Sequence, residues 1–267
     1  MQVVLTGAGS AFGQRMLRAI ASRGALARGA GQSTAVQRII AVDRTQPATL
    51  FLDGRIEYVR GDYEQPRFLA RMMGTTTDSV FHLAALGAGI GSEQAPADLE
   101  VALLHSFDTT RALLQACRYQ SLPPKLVLAS SMEASPHAGP WPQATDGLCA
   151  ALCELLVVEA ARRRIVDARC VRLPCLVGNG TCREDLVLQK RLADIAAGRA
   201  PADAAQDLTT GEVAFLDEAA GAMLDAHERP QAAAGEPQIT EVRGRRVRIG
   251  ELIAALAPAA GAGSLGA

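Results

Sequence analysis

The sequence predicts an α/β fold in which a doubly wound parallel sheet is followed by a small C-terminal α/β lobe. Short apolar runs of strand length alternate with longer helical segments up to about residue 175 of the 267 residues. Several of these runs are apolar throughout, as buried strands are. Beyond residue 175 the alternation loosens, and this change predicts where the sheet domain ends.

The composition predicts a soluble globular protein. Hydrophobic residues make up 49% of the chain and charged residues 21%. The net charge of -1 gives no electrostatic reason to expect a nucleic acid or an anionic membrane as a partner. The longest apolar runs are too short to span a membrane, and Met1 leads directly into the first predicted strand, so we expect no signal peptide and a cytoplasmic location.

A strand, a glycine-rich turn and a helix open the chain. The apolar run at 2–5 leads into a turn at 6–13, and the helix that follows carries Met16, Leu17 and Ile20 on one stripe. This order is typical of a dinucleotide-binding βαβ unit, in which the free N–H groups at the helix start face a pyrophosphate. The turn residues predicted to meet the cofactor are Gly7, Gly9, Ser10, Ala11, Phe12 and Gly13.

A second apolar run at 38–42 ends in Asp43, where the second strand of such a unit carries its acidic residue. A carboxylate there accepts hydrogen bonds from both ribose hydroxyls of NAD and repels the extra phosphate of NADP. Arg44 follows at once and is the one feature that softens this preference. The acid comes later than usual because a Gly/Ala-rich insertion occupies 24–36. Turn and acid together favour nucleotide binding over an ordinary tight turn and predict a Rossmann-type sheet.

The remaining elements follow from apolar periodicity and from Pro and Gly breaks. Strands are predicted at 55–60, 78–85, 125–131, 168–173 and 238–242, and helices at 66–73, 97–119, 147–164, 184–197, 217–228 and 249–256. The predicted domains are a dinucleotide-binding domain at 1–175, a substrate-side lobe at 176–256 that does not fold alone, and a frayed tail at 257–267.

The six cysteines and four histidines predict no metal site. No Cys-x-x-Cys pair occurs, and the histidines do not have the spacing of zinc ligands. Cys149 and Cys153 lie one helical turn apart in a strongly apolar helix. Core packing is therefore favoured for them over a catalytic thiol.

These segments together resemble the extended short-chain dehydrogenase/reductase family, the NAD-dependent epimerases and dehydratases. The motifs that carry the resemblance follow the family's order along the chain, at 6–13, 43, 61–62, 81–85, 110–114, 130–131 and 171–174. The segments 166–174 and 226–230 are similar to the D-erythronate dehydrogenase-like branch. The resemblance implies NAD as the cofactor, held by the turn, by Asp43 on the ribose, by Asp62 near the adenine, and by the backbone of Leu83, Ala84 and Ala85.

The resemblance also implies a homodimer, since in this family the helices predicted at 97–119 and 147–164 form a four-helix seam. The second of these helices carries apolar residues around its whole circumference, which one sheet face cannot cover. These residues are Leu148, Leu152, Leu155, Leu156, Val157 and Val158.

The sequence departs from the family at the catalytic residues, which are a Ser, a Tyr and a Lys four residues after the Tyr. Ser131 matches the Ser, but Asp146 and Ala150 occupy the Tyr and Lys positions, and Ser106 replaces a supporting Asn. No tyrosine in the sequence has a lysine four residues later; the tyrosines are Tyr58, Tyr63 and Tyr119, and the lysines are Lys125 and Lys190. The absent lysine and a serine at position 10, where the family has glycine, both weaken the expected affinity for NAD.

Three functions remain open at this point. The first is non-redox acid–base chemistry on a small polar substrate, an isomerisation, elimination or cyclisation, with candidate residues Ser131, Glu133, His137 and Asp146. For Asp146 a helix N-cap is favoured over catalysis, and Glu133 and His137 have a solvated loop position as their simpler interpretation. The second is a nucleotide-binding scaffold without catalysis. The third is an NAD-dependent hydroxy-acid dehydrogenase with an unusual proton donor.

Overall fold

The elements of the chain are given by a computed structural model that describes residues 1–28, 32–45, 50–62, 65–86, 99–135, 142, 145–178, 181–182, 210–230, 238–248 and 251. The strands are β1 (Gln2–Thr6), β2 (Ala25–Arg28), β3 (Gln32–Ala35), β4 (Arg38–Asp43), β5 (Ile56–Arg60), β6 (Ser79–His82), β7 (Lys125–Ser131), β8 (Asp167–Leu173), β9 (Cys175–Gly178), β10 (Thr181–Cys182), β11 (Thr210–Phe215), β12 (Gln238–Glu241) and β13 (Arg245–Arg248). The helices are α1 (Ala11–Arg23), α2 (Pro66–Met73), α3 (Leu99–Leu103), α4 (Thr109–Cys117), α5 (Thr145–Arg162) and α6 (Leu216–Glu228).

The contacts divide the chain into two compact units. The first consists of residues 1–172 and 220–241, and the second of residues 173–219 and 242–267. The first unit therefore takes in a segment well beyond residue 175, including the strand β12.

Seven strands of the first unit form one parallel sheet in the order β12-β8-β7-β6-β1-β4-β5. The chain moves outward from β1 through β4 to β5, then returns to β6 on the other side of β1 and continues to β12. The strand order thus reverses between β1 and β6, and ligands of open α/β sheets bind at the carboxyl ends of the strands beside such a reversal. The predicted doubly wound parallel sheet is confirmed.

The core lies between this sheet and its helices. Val4, Ile40, Val80 and Leu126 of four adjacent strands are fully buried in one apolar cluster. The helices α2, α4 and α5 contribute Leu69, Leu113 and Val157 to the same cluster. Continuous apolar runs are what these central strands require, because neither of their faces is in water.

The helix predicted at 97–119 is confirmed from Leu99 to Cys117, but it contains a π-helical turn at Leu104–Asp108 that the sequence does not predict. The hydroxyl of Ser106 donates to the carbonyl of Ala102 at 2.7 Å, and that of Thr110 donates to the carbonyl of Ser106 at 2.8 Å. Hydroxyls that bond to the preceding turn compete with the regular backbone pattern. π-Turns within helices are frequent at functional sites.

The Gly/Ala-rich insertion forms an antiparallel hairpin of β2 and β3, with Ala25 opposite Ala35. The sequence analysis predicts no strands there, because these short segments lack an apolar alternation.

The second unit contains a four-stranded sheet in the order β10-β9-β11-β13, which the sequence analysis also misses. Within this unit Arg245 lies over the ring of Phe215 at 5.4 Å and donates to Glu218 at 2.7 Å. Cys175 is disulfide-bonded.

The predicted helix at 217–228 and strand at 238–242 are confirmed as α6 and β12. The predicted helix at 184–197, all but residue 251 of that at 249–256, and the tail at 257–267 lie outside the described residues.

None of the helices that the structure describes combines the length and apolar character that a membrane span requires. The cytoplasmic location expected from the sequence stays a prediction.

Candidate functional site

The turn between β1 and α1 is shaped by three glycines. Gly7 has a φ of 77°, in the left-handed region that glycine adopts without strain. A Cβ atom on Gly9 would lie 2.6 Å from the carbonyl oxygen of Thr45, and one on Gly13 would collide with the backbone of Gly7. The turn therefore needs glycine at all three positions to bring helix, strand and the neighbouring loop this close together.

Ser10 closes the turn as the N-cap of α1. Its hydroxyl donates to the carbonyl of Gly7 at 2.9 Å and accepts from the backbone N–H of Gly13 at 3.0 Å. This capping role explains why a serine stands where the family pattern has glycine. The N–H groups of Ala11 and Phe12 come next, and neither donates a hydrogen bond within the described part of the chain. Free N–H groups at a helix start fit a pyrophosphate, so the turn fits a dinucleotide.

Asp43 ends β4 directly beside this turn. Its Oδ2 atom accepts from the backbone N–H of Gly9 at 2.7 Å, and its Oδ1 atom accepts from the backbone N–H of Thr45 at 3.0 Å. Oδ1 also accepts from the Thr45 hydroxyl at 3.3 Å. A carboxylate has about four acceptor positions, so Oδ2 keeps capacity for a further donor. The acid and the turn thus form one connected structure.

Ala84 and Leu83 flank the other side of the turn. The added Cβ of Gly7 would lie 3.0 Å from the backbone N of Ala84 and 3.2 Å from the carbonyl carbon of Leu83. Leu83, Ala84 and Ala85 are buried, and a single 3-10 turn begins at Ala84. The structure therefore brings these predicted residues to the point where the strand order reverses.

Arg44 reaches from the end of β4 to the π-helical turn. Its Nη1 atom lies 2.5 Å from Nδ1 of His105. Burial and the Arg44 cation lower the pKa of His105, and the carboxylate of Asp62 opposes them, which places Asp62 near this pair. The sequence analysis names Arg44 and Asp62 but misses His105, because this contact spans 61 positions of the chain.

Ser131, Glu133 and Asp146 are brought together at the end of β7. The Ser131 hydroxyl accepts from the backbone N–H of Glu133 at 3.1 Å and caps a single 3-10 turn. An added Cβ on Gly147 would lie 2.5 Å from the carbonyl oxygen of Glu133, so the first turn of α5 packs directly on this segment. His137, the fourth candidate, lies outside the described residues.

Asp146 is not the N-cap of its helix, and that prediction is wrong. The helix α5 begins at Thr145, which places Asp146 in its first turn. An acidic residue there is favoured by the helix dipole. The side chain is exposed, yet the protein atoms that crowd its carboxyl group raise its pKa by desolvation.

The described tyrosines and lysines do not replace the absent Tyr/Lys pair. Lys125 is the first residue of β7, at the opposite end of the strand from Ser131. The hydroxyl of Tyr58 donates to the carbonyl of Phe51 at 2.7 Å, and Tyr119 follows α4 on the exposed surface. Ala150, which the resemblance assigns to the family's Lys position, is buried.

Two buried polar networks that the sequence analysis misses brace the same edge of the sheet. The ring of His82 bridges the hydroxyls of Thr6 and Thr110, at 2.6 and 2.9 Å. Burial lowers the pKa of His82 to about 3, so this ring is neutral. Glu154 of α5 accepts from the Ser130 hydroxyl at 2.6 Å and from Arg172 of β8 at 2.8 Å. These contacts fix α5, and with it Asp146, against the strands.

Cys149 and Cys153 are buried free thiols, which confirms core packing. Burial raises the pKa of Cys153 to about 12, and a thiol that stays protonated is a poor nucleophile. Within the described ranges, no group of three or more His, Cys, Asp and Glu side chains could hold a metal ion.

The fold and the turn define a dinucleotide-binding α/β protein. A model of the NAD dependent epimerase/dehydratase family matches residues 3–239, and the chain belongs to this family. It is 34% identical to the D-erythronate dehydrogenase of Cupriavidus necator over 185 residues, and 28% identical to that of Haemophilus influenzae over 185 residues. Each alignment covers 66% of this chain and 55% of the relative, so the chain spans about half the length of the curated relatives it matches.

Solved structures of similar fold carry NAD. The dTDP-glucose 4,6-dehydratase DesIV of Streptomyces venezuelae, a double mutant with NAD and DAU bound, has a TM-score of 0.75 at 19% identity, over 98% of this chain and 81% of that one. The UDP-glucuronic acid 4-epimerase of Bacillus cereus, in complex with UDP-glucuronic acid and NAD, has a TM-score of 0.75 at 19% identity, over 98% and 83%. At this identity the likeness establishes the fold alone.

Proposed function

We propose that the chain binds NAD at its glycine turn and acts on a small polar substrate by acid–base chemistry without net hydride transfer. One contrast carries this proposal. The turn and Asp43 keep the features of a dinucleotide site, while Asp146 and Ala150 stand at the positions of the family's Tyr and Lys. The D-erythronate dehydrogenases among the relatives support a small hydroxy acid as the substrate class.

The residues that would hold NAD are those around the turn. The N–H groups of Ala11 and Phe12 face the pyrophosphate, and Asp43 accepts from the adenosine ribose. The guanidinium group of Arg44 and the carboxylate of Asp62 would lie at the end of the site that takes the adenine of NAD. When bound, the nicotinamide supplies a hydride acceptor, but the chain lacks the family's proton relay to use it.

Proton transfer in this proposal belongs to Asp146. Its raised pKa brings proton exchange closer to neutral pH than an ordinary aspartate allows. The Ser131 hydroxyl is the candidate to hold a substrate oxygen, because Ser131 matches the family's Ser, and Glu133 and His137 are candidates for the second proton-transfer group. Such a set suits an elimination, an isomerisation or a cyclisation.

A nucleotide-binding protein without catalysis is the second candidate. It is favoured by the hydrogen bond from Glu133 N–H to the Ser131 hydroxyl, because that bond serves the local turn rather than a substrate. An NAD-dependent hydroxy-acid dehydrogenase with an unusual proton donor is the third, and the D-erythronate dehydrogenase relatives favour it.

A homodimer is part of the proposal. Large apolar side chains stand exposed on the two long helical segments that form the dimer seam in the resembled family. They are Leu99, Val101, Leu104, Leu148 and Leu155.

Calorimetric titration with NAD tests the proposal first. Wild-type protein should bind NAD, and Gly9→Ala should abolish binding because the new methyl group would meet the carbonyl of Thr45. Gly54→Ala is the matched control, since an added Cβ at Gly54 meets no atom within 4 Å. No heat of NAD binding to the wild-type protein would contradict the proposal.

A further inference from the structure

A groove of about 1390 Å³ lies in the first unit at the amino ends of the strands. Gln2, Arg38, Asp78, Lys125 and Asp167 line it, and each is at or next to the start of its strand. The glycine turn lies at the carboxyl ends of the same parallel strands. The groove is therefore separate from the candidate dinucleotide site.

The inserted hairpin builds one wall of this groove. Arg28 of β2 and Thr34 of β3 line it, and Arg28 forms an ion pair with Asp78 at 3.0 Å. Arg162, the last residue of α5, and Arg164, which follows the helix, also line the groove. The groove thus depends on the Gly/Ala-rich insertion at 24–36, which lengthens the segment between the glycine turn and Asp43.

Charge in the groove is opposite in sign to that of the whole chain. Five cationic side chains line it against two carboxylates, whereas the chain has a net charge of -1. The cationic residues are Arg28, Arg38, Lys125, Arg162 and Arg164. Threonine and serine hydroxyls stand among them, at Thr34, Thr75, Thr76 and Ser121. Cations interspersed with hydroxyl donors suit an anion that accepts many hydrogen bonds.

Lys125 is the buried cation of the groove, with 6% of its surface exposed. Among the described residues its ammonium group donates one hydrogen bond, to the carbonyl of His227 at 3.0 Å. An ammonium group has three N–H donors, so two remain. The carboxylates of Asp167 and Glu228 act electrostatically on this ammonium group, and its two unused N–H donors can serve an anion in the groove.

Arg164 has the one positive φ among the described residues other than glycine, at 56°. The left-handed conformation costs an ordinary residue about 1–2 kcal/mol, and glycine usually occupies this position after a helix. The arginine at this position is therefore a candidate for a functional side chain. No described residue pairs with its guanidinium group, and it lines the groove.

We propose that this groove binds a phosphorylated small molecule, whose phosphate oxygens accept hydrogen bonds from Arg164 and Lys125. The guanidinium and ammonium groups lie at separate points of one concave surface. Each can therefore donate hydrogen bonds to a different phosphate oxygen of the same ligand. The ligand is distinct from the dinucleotide of the glycine turn, and the site does not depend on the proposed reaction.

Inorganic pyrophosphate is the probe, titrated calorimetrically into wild-type protein, Arg164→Gln and Arg163→Gln at one salt concentration. Arg163 is the matched control, because it pairs with Glu159 and does not line the groove. Loss of one charge-assisted hydrogen bond should weaken binding about tenfold in Arg164→Gln, and Arg163→Gln should bind like the wild type. The glycine turn also offers N–H groups to anions, but neither substitution touches it, so the difference reports the groove alone.

Arg164→Gly separates a ligand role from a structural one. Glycine relieves the left-handed conformation, so this variant should melt at or above the wild-type temperature while it loses pyrophosphate affinity. A lower melting temperature with unchanged affinity would overturn the proposal. So would equal pyrophosphate affinities for Arg164→Gln and Arg163→Gln, or no binding to the wild type at millimolar concentration.

Discussion

The carboxylate of Asp43 accepts a hydrogen bond from the backbone N–H of Gly9 at 2.7 Å, and this bond ties the end of β4 to the glycine turn. We propose that the acid is thereby held where the adenosine ribose of NAD would lie. Its negative charge would then disfavour NADP, since a 2′-phosphate would lie against it.

Wild-type protein should therefore bind NAD more tightly than NADP. The Asp43→Asn substitution should reduce the difference between the two affinities. The amide loses the charge that strengthens its ribose contacts, so we expect about a tenfold loss of NAD affinity in calorimetric titrations. Glu57→Gln on the neighbouring strand removes a carboxylate that pairs with Arg38, and it should change neither affinity. Equal wild-type affinities for the two cofactors would argue against this role for Asp43.

Light scattering coupled to size-exclusion chromatography should show a homodimer at micromolar concentration. Leu155→Glu should yield a monomer, because it places a charge on an apolar face of α5 where 64% of the leucine surface is exposed. Leu52→Glu is the control, as Leu52 is 80% exposed but lies in the loop before β5. A monomeric wild-type protein, or a Leu155→Glu protein that stays dimeric, would be evidence against the seam.

Stability should fall as the pH drops below about 6.5. Burial lowers the pKa of His82 and of His227 from 6.5 to about 3, so both rings stay neutral in the folded protein while the unfolded chain takes up their protons. Each histidine then costs up to about 1.4 kcal/mol of unfolding free energy per pH unit in this range. The stability that the neutral rings contribute is fully present above the histidine pKa of the unfolded chain. It is lost as the pH falls toward the histidine pKa of the folded protein.

Urea unfolding between pH 7.5 and pH 4.5 measures this slope. His82→Gln and His227→Gln should each make it shallower, whatever their effect on stability at pH 7.5. A free energy of unfolding that is constant from pH 7 to pH 5 would show that these rings do not behave as buried neutral groups.

Local sequence patterns predict those parts of the candidate site that a single short segment forms. The turn with Gly7 and Gly13 is a property of one short segment, and a run of apolar residues ending at Asp43 carries its own signal. The contact of Arg44 with His105 is different, since it joins positions 61 apart. Only the folded chain reveals it.

Strand pairing between distant segments explains the other misses. The strand β11 pairs with β9 on one side and with β13 on the other, and no single segment shows that pattern. The hairpin of β2 and β3 has one strand that is largely exposed, so it lacks the apolar alternation that marks a strand. The sequence predicts an N-cap at Asp146, whereas the helix begins at Thr145 and its first turn packs on Glu133, a contact that the sequence does not display.

The absent Tyr/Lys pair leads to the central claim. A positioned general acid or base contributes roughly 10²–10⁴-fold to a reaction rate, and no tyrosine in the sequence has a lysine four residues later to tune it. The aspartate carboxyl group is too short to reach where a tyrosine hydroxyl would lie. The double variant Asp146→Tyr, Ala150→Lys restores the pair on the same frame and should gain NAD-linked oxidation of a hydroxy acid, while Asp146→Tyr alone should not.

The most direct test is the absorbance of reduced nicotinamide while wild-type protein is incubated with NAD and D-erythronate. We expect no increase above a protein-free blank, even where substrate is consumed by a reaction that Asp146→Asn slows. A steady increase in that absorbance with unmodified protein, proportional to protein concentration, would contradict the account.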